Sequence, residues 1–167
     1  MEDESTHREL LDLLRRQEAG FQVLEVRYRQ HQAVRTSEEA AEVRRVPLAS
    51  GAKAMLVFDS KQAIFFLAVM SAARLFDWKL LKTMTGSKSL RFATEEEVAR
   101  TTRCVPGAVP PFGSLFQVRT LLDQSLIDQG SIINFNAGLR TRSVSMSISD
   151  YLRVESPTLG HFTKPKE

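Results

Sequence analysis

The chain has 167 residues, 43% of them hydrophobic and 26% charged, with a formal net charge of +3. That describes one globular domain able to bury a full core without disulfides or metals, and the longest apolar run, Ala63 to Met70, falls well short of the roughly 20 residues a membrane helix needs. So small a positive surplus permits an RNA partner held through its phosphates and argues against an extended basic trough.

The first residues, Met1-Glu2-Asp3-Glu4, lack the basic and apolar blocks of a signal peptide, so no export is expected. Thr6 and Glu9 form a capping box ahead of Leu10, Leu11, Leu13 and Leu14, and Gly20 stands where that helix would stop. A strand is expected over Gln22 to Arg29, where Val26 and Tyr28 alternate with Arg27 and Arg29. Thr36 with Glu39 repeats the capping box and opens a short helix through Ala40, Ala41 and Val43. The runs Ala54 to Phe58 and Ala63 to Met70, separated by Asp59-Ser60-Lys61-Gln62, read as a hairpin buried on both faces.

Asp77 caps a helix carrying Trp78, Leu81 and Met84, ended by Gly86. Thr94 and Glu97 make a third capping box, and the triplet Glu95-Glu96-Glu97 suits the positive end of a helix dipole. Val118 to Leu122, Ser131 to Phe135 and Ser143 to Met146 read as strands, and Ser147 precedes a short helix through Tyr151 and Leu152. Residues 157–167 show no apolar period and read as a flexible tail, which leaves residues 1–156 as the single domain. Strands and helices mix without long β-helix-β alternation, so the expected class is α+β: a mixed, mostly antiparallel sheet with peripheral helices.

The chemistry is concentrated in Pro106-Gly107-Ala108-Val109-Pro110-Pro111-Phe112-Gly113. Two adjacent prolines stiffen this loop and carry no N–H, so the free amides at its start are those of Gly107, Ala108 and Val109. They could converge on an anion or a polarised carbonyl; a rigid turn between strands is the plainer reading of the same residues. There is no Walker loop, no dinucleotide fingerprint, no zinc spacing and no nucleophile elbow. His7, His31 and His161 lie far from the loop in sequence, and the lone Cys104 reads as a buried, inert thiol in a reducing, cytoplasmic setting. Lys53 stands at the head of an apolar strand, where it could be a point charge for a ligand or a lysine in water.

One further pattern is the order of these pieces. The chain runs Lys53-Ala54-Met55-Leu56-Val57, then Leu90 to Val98, then Gly107 to Gly113, then Asp123-Gln124-Ser125-Leu126, then Phe135-Asn136-Ala137-Gly138 and Asp150-Tyr151-Leu152. From about Val34 to Leu152 it resembles the YbaK/ProX family, the editing domains associated with prolyl-tRNA synthetase. The resemblance implies a curved or barrel-like sheet with its pocket on the open side. It implies a trans-editing deacylase that cleaves the ester of mischarged tRNA, with alanyl-tRNA(Pro) the foremost substrate. Lys53 would be important for activity, and the loop from Gly107 to Pro111 would bind the aminoacyl ester.

An ester of tRNA is already activated, so backbone amides can suffice to stabilise the oxyanion, and Gly107 and Ala108 are the candidates for that task. Thr36, Val109, Pro110, Pro111, Asn136 and Gly138 are the candidate substrate contacts. Some relatives carry histidine or serine at the position of Asn136, and some carry asparagine where this chain has Ala54, so alanine, serine and cysteine all stay open as the acyl group. Implied partners are the acceptor end of tRNA and prolyl-tRNA synthetase, with no metal or organic cofactor and no membrane. A non-catalytic tRNA- or synthetase-binding adaptor on the same fold is the competing reading.

Overall fold

The structure, a computed structural model, describes residues 2–25 and 37–166. Thr36, with the capping box built on it, and the outer part of the expected strand, residues 26–29, lie outside the described residues. In chain order the elements are α1 (Ser5–Arg16), β1 (Phe21–Glu25), α2 (Ser37–Arg44), β2 (Ala52–Asp59), β3 (Ile64–Ser71), β4 (Arg74–Phe76), α3 (Trp78–Thr85) and β5 (Leu90–Phe92). They continue with α4 (Glu95–Thr102), β6 (Arg119–Asp123), α5 (Ser125–Asp128), β7 (Ile132–Leu139), β8 (Arg142–Ser147), α6 (Ile148–Glu155), β9 (Thr158–Gly160) and β10 (Thr163–Pro165). Single 3-10 turns stand at Leu48–Ser50 and Gly113–Phe116.

The expected hairpin is the spine of the fold. β2 and β3 pair antiparallel from Ala52↔Ser71 to Asp59↔Ile64, and Asp59 Oδ1 closes the turn by accepting the amides of Lys61 and Gln62. Side chains alternate along β3, so Leu67 and Val69 enter one core while Phe66, Ala68 and Met70 enter another on the opposite face. This is why the run carries no polar residue until Ser71. The larger core gathers Leu10 and Leu14 of α1 with Phe112, Phe135 and Tyr151; the smaller holds Leu81 of α3 and Phe162.

Around the hairpin a five-stranded sheet runs β5-β2-β3-β6-β9, in which β6 is parallel to both β3 and β9. A second ladder, β1-β8-β7, and a short one, β10-β4, are antiparallel. The class is therefore α+β and mostly antiparallel, as expected. Among the described residues the ladders do not close into a barrel; a single bridge, Gly51↔Asn134, joins the start of β2 to β7. No helix among the described residues is long and apolar enough to cross a membrane.

Three expectations about the chain ends are corrected. Thr6 is not a cap: α1 already begins at Ser5, and the buried Thr6 hydroxyl donates to the Thr102 carbonyl at the end of α4. The chain leaves α1 at Arg16 rather than at Gly20, turning through Glu18 at φ 53. Residues 157–167 are not a tail either. β9 and β10 lie in them, and Phe162 is fully buried. Burial alone would raise the Asp123 carboxyl, but hydrogen bonds from Ser125, the Phe162 amide and the Thr163 hydroxyl outweigh it and hold the group below its usual value. A segment anchored by one aromatic ring and one carboxylate has no period to read.

Candidate active site

Val105-Pro106-Gly107-Ala108 is a β-turn, with the Ala108 amide donating to the Val105 carbonyl at 3.0 Å. Proline at its second position and Gly107 at φ +88 in its third are the type II pattern. Ala108 is fully buried and its amide is spent on the turn, so it is not an oxyanion donor; that expectation is corrected. The amides of Gly107 and Val109 donate to no protein atom among the described residues.

The turn is held from β7. Between Asn136 and Leu139 the β7–β8 register slips, which leaves Ala137 and Gly138 free to reach elsewhere. The Asn136 side-chain amide donates to the Gly107 carbonyl at 2.6 Å, and the Gly138 amide donates to the Ala108 carbonyl at 2.9 Å. The Ala137 carbonyl meets His7 Nδ1 of α1 at 2.6 Å; a carbonyl only accepts, so that nitrogen carries the proton. A Cβ on Gly138 would lie 2.7 Å from the His7 amide nitrogen, so this glycine admits α1 against the bulge. Gly138 is thus a support of the turn, not a substrate contact.

Pro110 and Pro111 are buried and stand behind the site rather than in it. The Pro111 carbonyl accepts the hydroxyl of the fully buried Tyr151, and the Pro110 carbonyl accepts the Phe112 amide. Past them the Gly113 amide donates to Thr120 Oγ1, whose own hydroxyl bonds Glu155 at 2.6 Å. Burial pushes the Glu155 carboxyl up, and the hydrogen bonds from Ser114 and Thr120 offset that only in part.

In front of the turn lies a cavity of about 710 Å³. Gly107, Val109 and Asn136 line it together with Lys53 of β2, whose exposed side chain has no ion-pair or hydrogen-bond partner among the described residues. Arg74, Phe76 and Phe92 also line it, as do Glu38 of α2 and Lys166, which pair at 2.8 Å. The bond from Lys166 holds the Glu38 carboxyl below its ordinary value. So the structure brings Lys53, Gly107, Val109 and Asn136 to the lining of one cavity, keeps Ala108, Pro110, Pro111 and Gly138 out of that lining, and leaves Thr36 outside the described residues. Phe92, Arg74 and Asn134 were missed by the sequence reading. Asn134 had a signal: it stands two residues from Asn136, on the same face of a strand.

No histidine or cysteine lines the cavity among the described residues, and no group of three or more His, Cys, Asp or Glu side chains there could hold a metal ion. Cys104 is buried, as expected, and burial raises its thiol. Residues 31–154 match the family described as the aminoacyl-tRNA editing domain. The chain belongs to that family.

Within the editing-domain family, a similar protein is the Multifunctional Ser/Thr-tRNA deacylase ProXp-y of Escherichia coli (strain K12). It is 32% identical over 161 residues, spanning 95% of this chain and 93% of that one. Among solved structures, one described as a candidate trans-editing enzyme for prolyl tRNA synthetase superposes with a TM-score of 0.81 at 21% identity, over 96% of this chain and 98% of the other. The hypothetical protein APE2540 superposes equally well at 17% identity, over 93% and 99%. At such identities the structures speak for the fold, and this editing domain has theirs along almost its full length.

Proposed function

We propose that the protein is an aminoacyl-tRNA deacylase that clears mischarged tRNA by hydrolysing the ester between the amino acid and the terminal ribose. The observation that carries this reading is the Pro106–Gly107 turn: the amides of Gly107 and Val109 have no protein acceptor among the described residues, and both residues line the same cavity as the Lys53 ammonium. Water adds to the ester carbonyl carbon, and the carbonyl oxygen takes the negative charge, which the two amides receive. The C–O bond to the ribose then breaks and the ribose oxygen takes the proton given up by the water, releasing a free amino acid and tRNA. Asn136 acts through the turn, by fixing the Gly107 carbonyl and with it the peptide plane. Lys53 supplies a point charge to the ester or the adjoining nucleotide.

A cavity of about 710 Å³ is far larger than a small acyl group requires, so the part of it lined by Phe92, Phe76 and Arg74 serves the terminal nucleotide. For the acyl group, the alanine implied by the resemblance competes with the serine and threonine in the name of the Escherichia coli relative. We take the hydroxy amino acids as the primary substrates. tRNA(Pro) is the carrier, after the link to prolyl-tRNA synthetase that the resemblance implies.

The test is the half-life of the ester on tRNA(Pro) charged with alanine, serine, threonine or cysteine, with and without protein. At least one half-life shortens sharply, and Lys53→Ala slows that reaction about tenfold or more through loss of a charge beside the reacting centre. Ester half-lives that stay at their uncatalysed values with the wild-type protein would leave the adaptor as the surviving function.

A further inference from the structure

Asn134 is buried, at 6% exposure, yet it lines the cavity. Its orientation is fixed by a short chain of hydrogen bonds. The Ser50 hydroxyl lies 2.7 Å from the Pro47 carbonyl, which can only accept, so Ser50 donates there. That leaves the Ser50 oxygen as an acceptor, and it lies 3.0 Å from Asn134 Nδ2. The amide nitrogen of Asn134 therefore faces Ser50 and its Oδ1 faces away. Oδ1 has no partner among the described residues and is not among the sealed, unsatisfied atoms of the interior, so it opens on the cavity. Asn134 and Asn136 share a strand face about 7 Å apart, and Asn136 holds the turn.

We propose that Asn134 is a specificity-determining residue whose Oδ1 accepts a hydrogen bond from the side-chain hydroxyl of a seryl or threonyl group, with Ser50 as the residue that orients it. This rests on the deacylase reading and narrows its substrate class. A neutral acceptor, held in this orientation by Ser50, favours a ligand that donates from a hydroxyl on its β carbon and gains nothing from alanine. A site built to pair a hydroxyl discriminates against the analogue lacking it, because the buried acceptor is then left alone.

The experiment measures kcat/KM of the full chain for tRNA(Pro) charged with serine, threonine or alanine. The wild type prefers serine and threonine over alanine by at least about tenfold. In Asn134→Leu, close in volume and without an acceptor, the serine-to-alanine ratio falls towards one. In Ser50→Ala, which frees the amide to turn over, the ratio falls part of the way. A ratio unchanged in Asn134→Leu, or a loss that is proportionate for all three esters, shows a structural role and overturns the proposal. A wild-type protein that cleaves some ester but prefers alanine overturns it too, while leaving the deacylase reading standing. A wild type that cleaves none overturns both.

Discussion

At Gly107 the backbone sits at φ +88 and a Cβ would meet nothing within 4 Å, so the demand for glycine is conformational rather than spatial. Gly107→Ala therefore leaves the core untouched and strains only the turn. If the Gly107 amide receives the oxyanion, tilting it costs transition-state stabilisation on the order of 3 kcal/mol, or about a hundredfold in kcat, with little change in melting temperature. Single-turnover deacylation alongside thermal denaturation checks this; a variant of wild-type rate would mean that the oxyanion is stabilised elsewhere. Gly113 is the opposite case. A Cβ there would stand 2.3 Å from the Val118 carbonyl oxygen, so its substitution damages the fold before it could report on the chemistry.

At the scale of elements, the site is a loop clamped by two elements, the β7 bulge through Asn136 and Gly138 and α6 through Tyr151. The clamp from α6 is pH-sensitive in a definite direction. Glu155 has its carboxyl raised above the ordinary 4.5, so the fold favours the neutral form. Its contribution to stability is complete below 4.5 and is lost as pH rises through the raised value. Glu155→Gln stays neutral at every pH. The stability of the variant relative to wild type should therefore climb as pH rises above 4.5 through the raised value and then level off, as read by melting temperature in a pH series. A constant difference would show that burial does not govern this carboxyl.

The same scale explains what could be read in advance. The capping box of Thr94 and Glu97 and the Asp77 cap form with both local partners in place, because each is complete within four residues. The identical pattern at Thr6 and Glu9 failed because tertiary partners took both groups: Thr6 bonds Thr102, and Glu9 pairs with Arg103. At the site, Lys53, Gly107 and Asn136 were legible from their order along the chain. The commitment of the Ala108 amide was not, since proline and glycine announce a turn without saying which N–H closes it.

For the whole molecule, one cavity is lined by chemically different groups: residues with unshared main-chain amides and a lysine, together with aromatic rings and an arginine. Phe92 is 40% exposed, and its ring packs 5.2 Å from Phe76 and 4.7 Å from Trp78, which leaves a supported face for a base. Stacking of one base is worth about 1–3 kcal/mol, so Phe92→Ala should raise KM for the charged tRNA about tenfold while kcat changes little. Equal KM for wild type and variant would put the terminal nucleotide elsewhere.

The closing strand has one more consequence. Trimming the chain at Ser156, as its polar C-terminal composition invites, would withdraw Phe162 from the smaller core and strip Asp123 of its Phe162 and Thr163 donors. The same cut would delete Lys166 from the rim and leave Glu38 without its cation. Shortened versions made for convenience would thus be poor proxies for the enzyme, and any inactivity they showed would reflect a missing wall rather than missing chemistry.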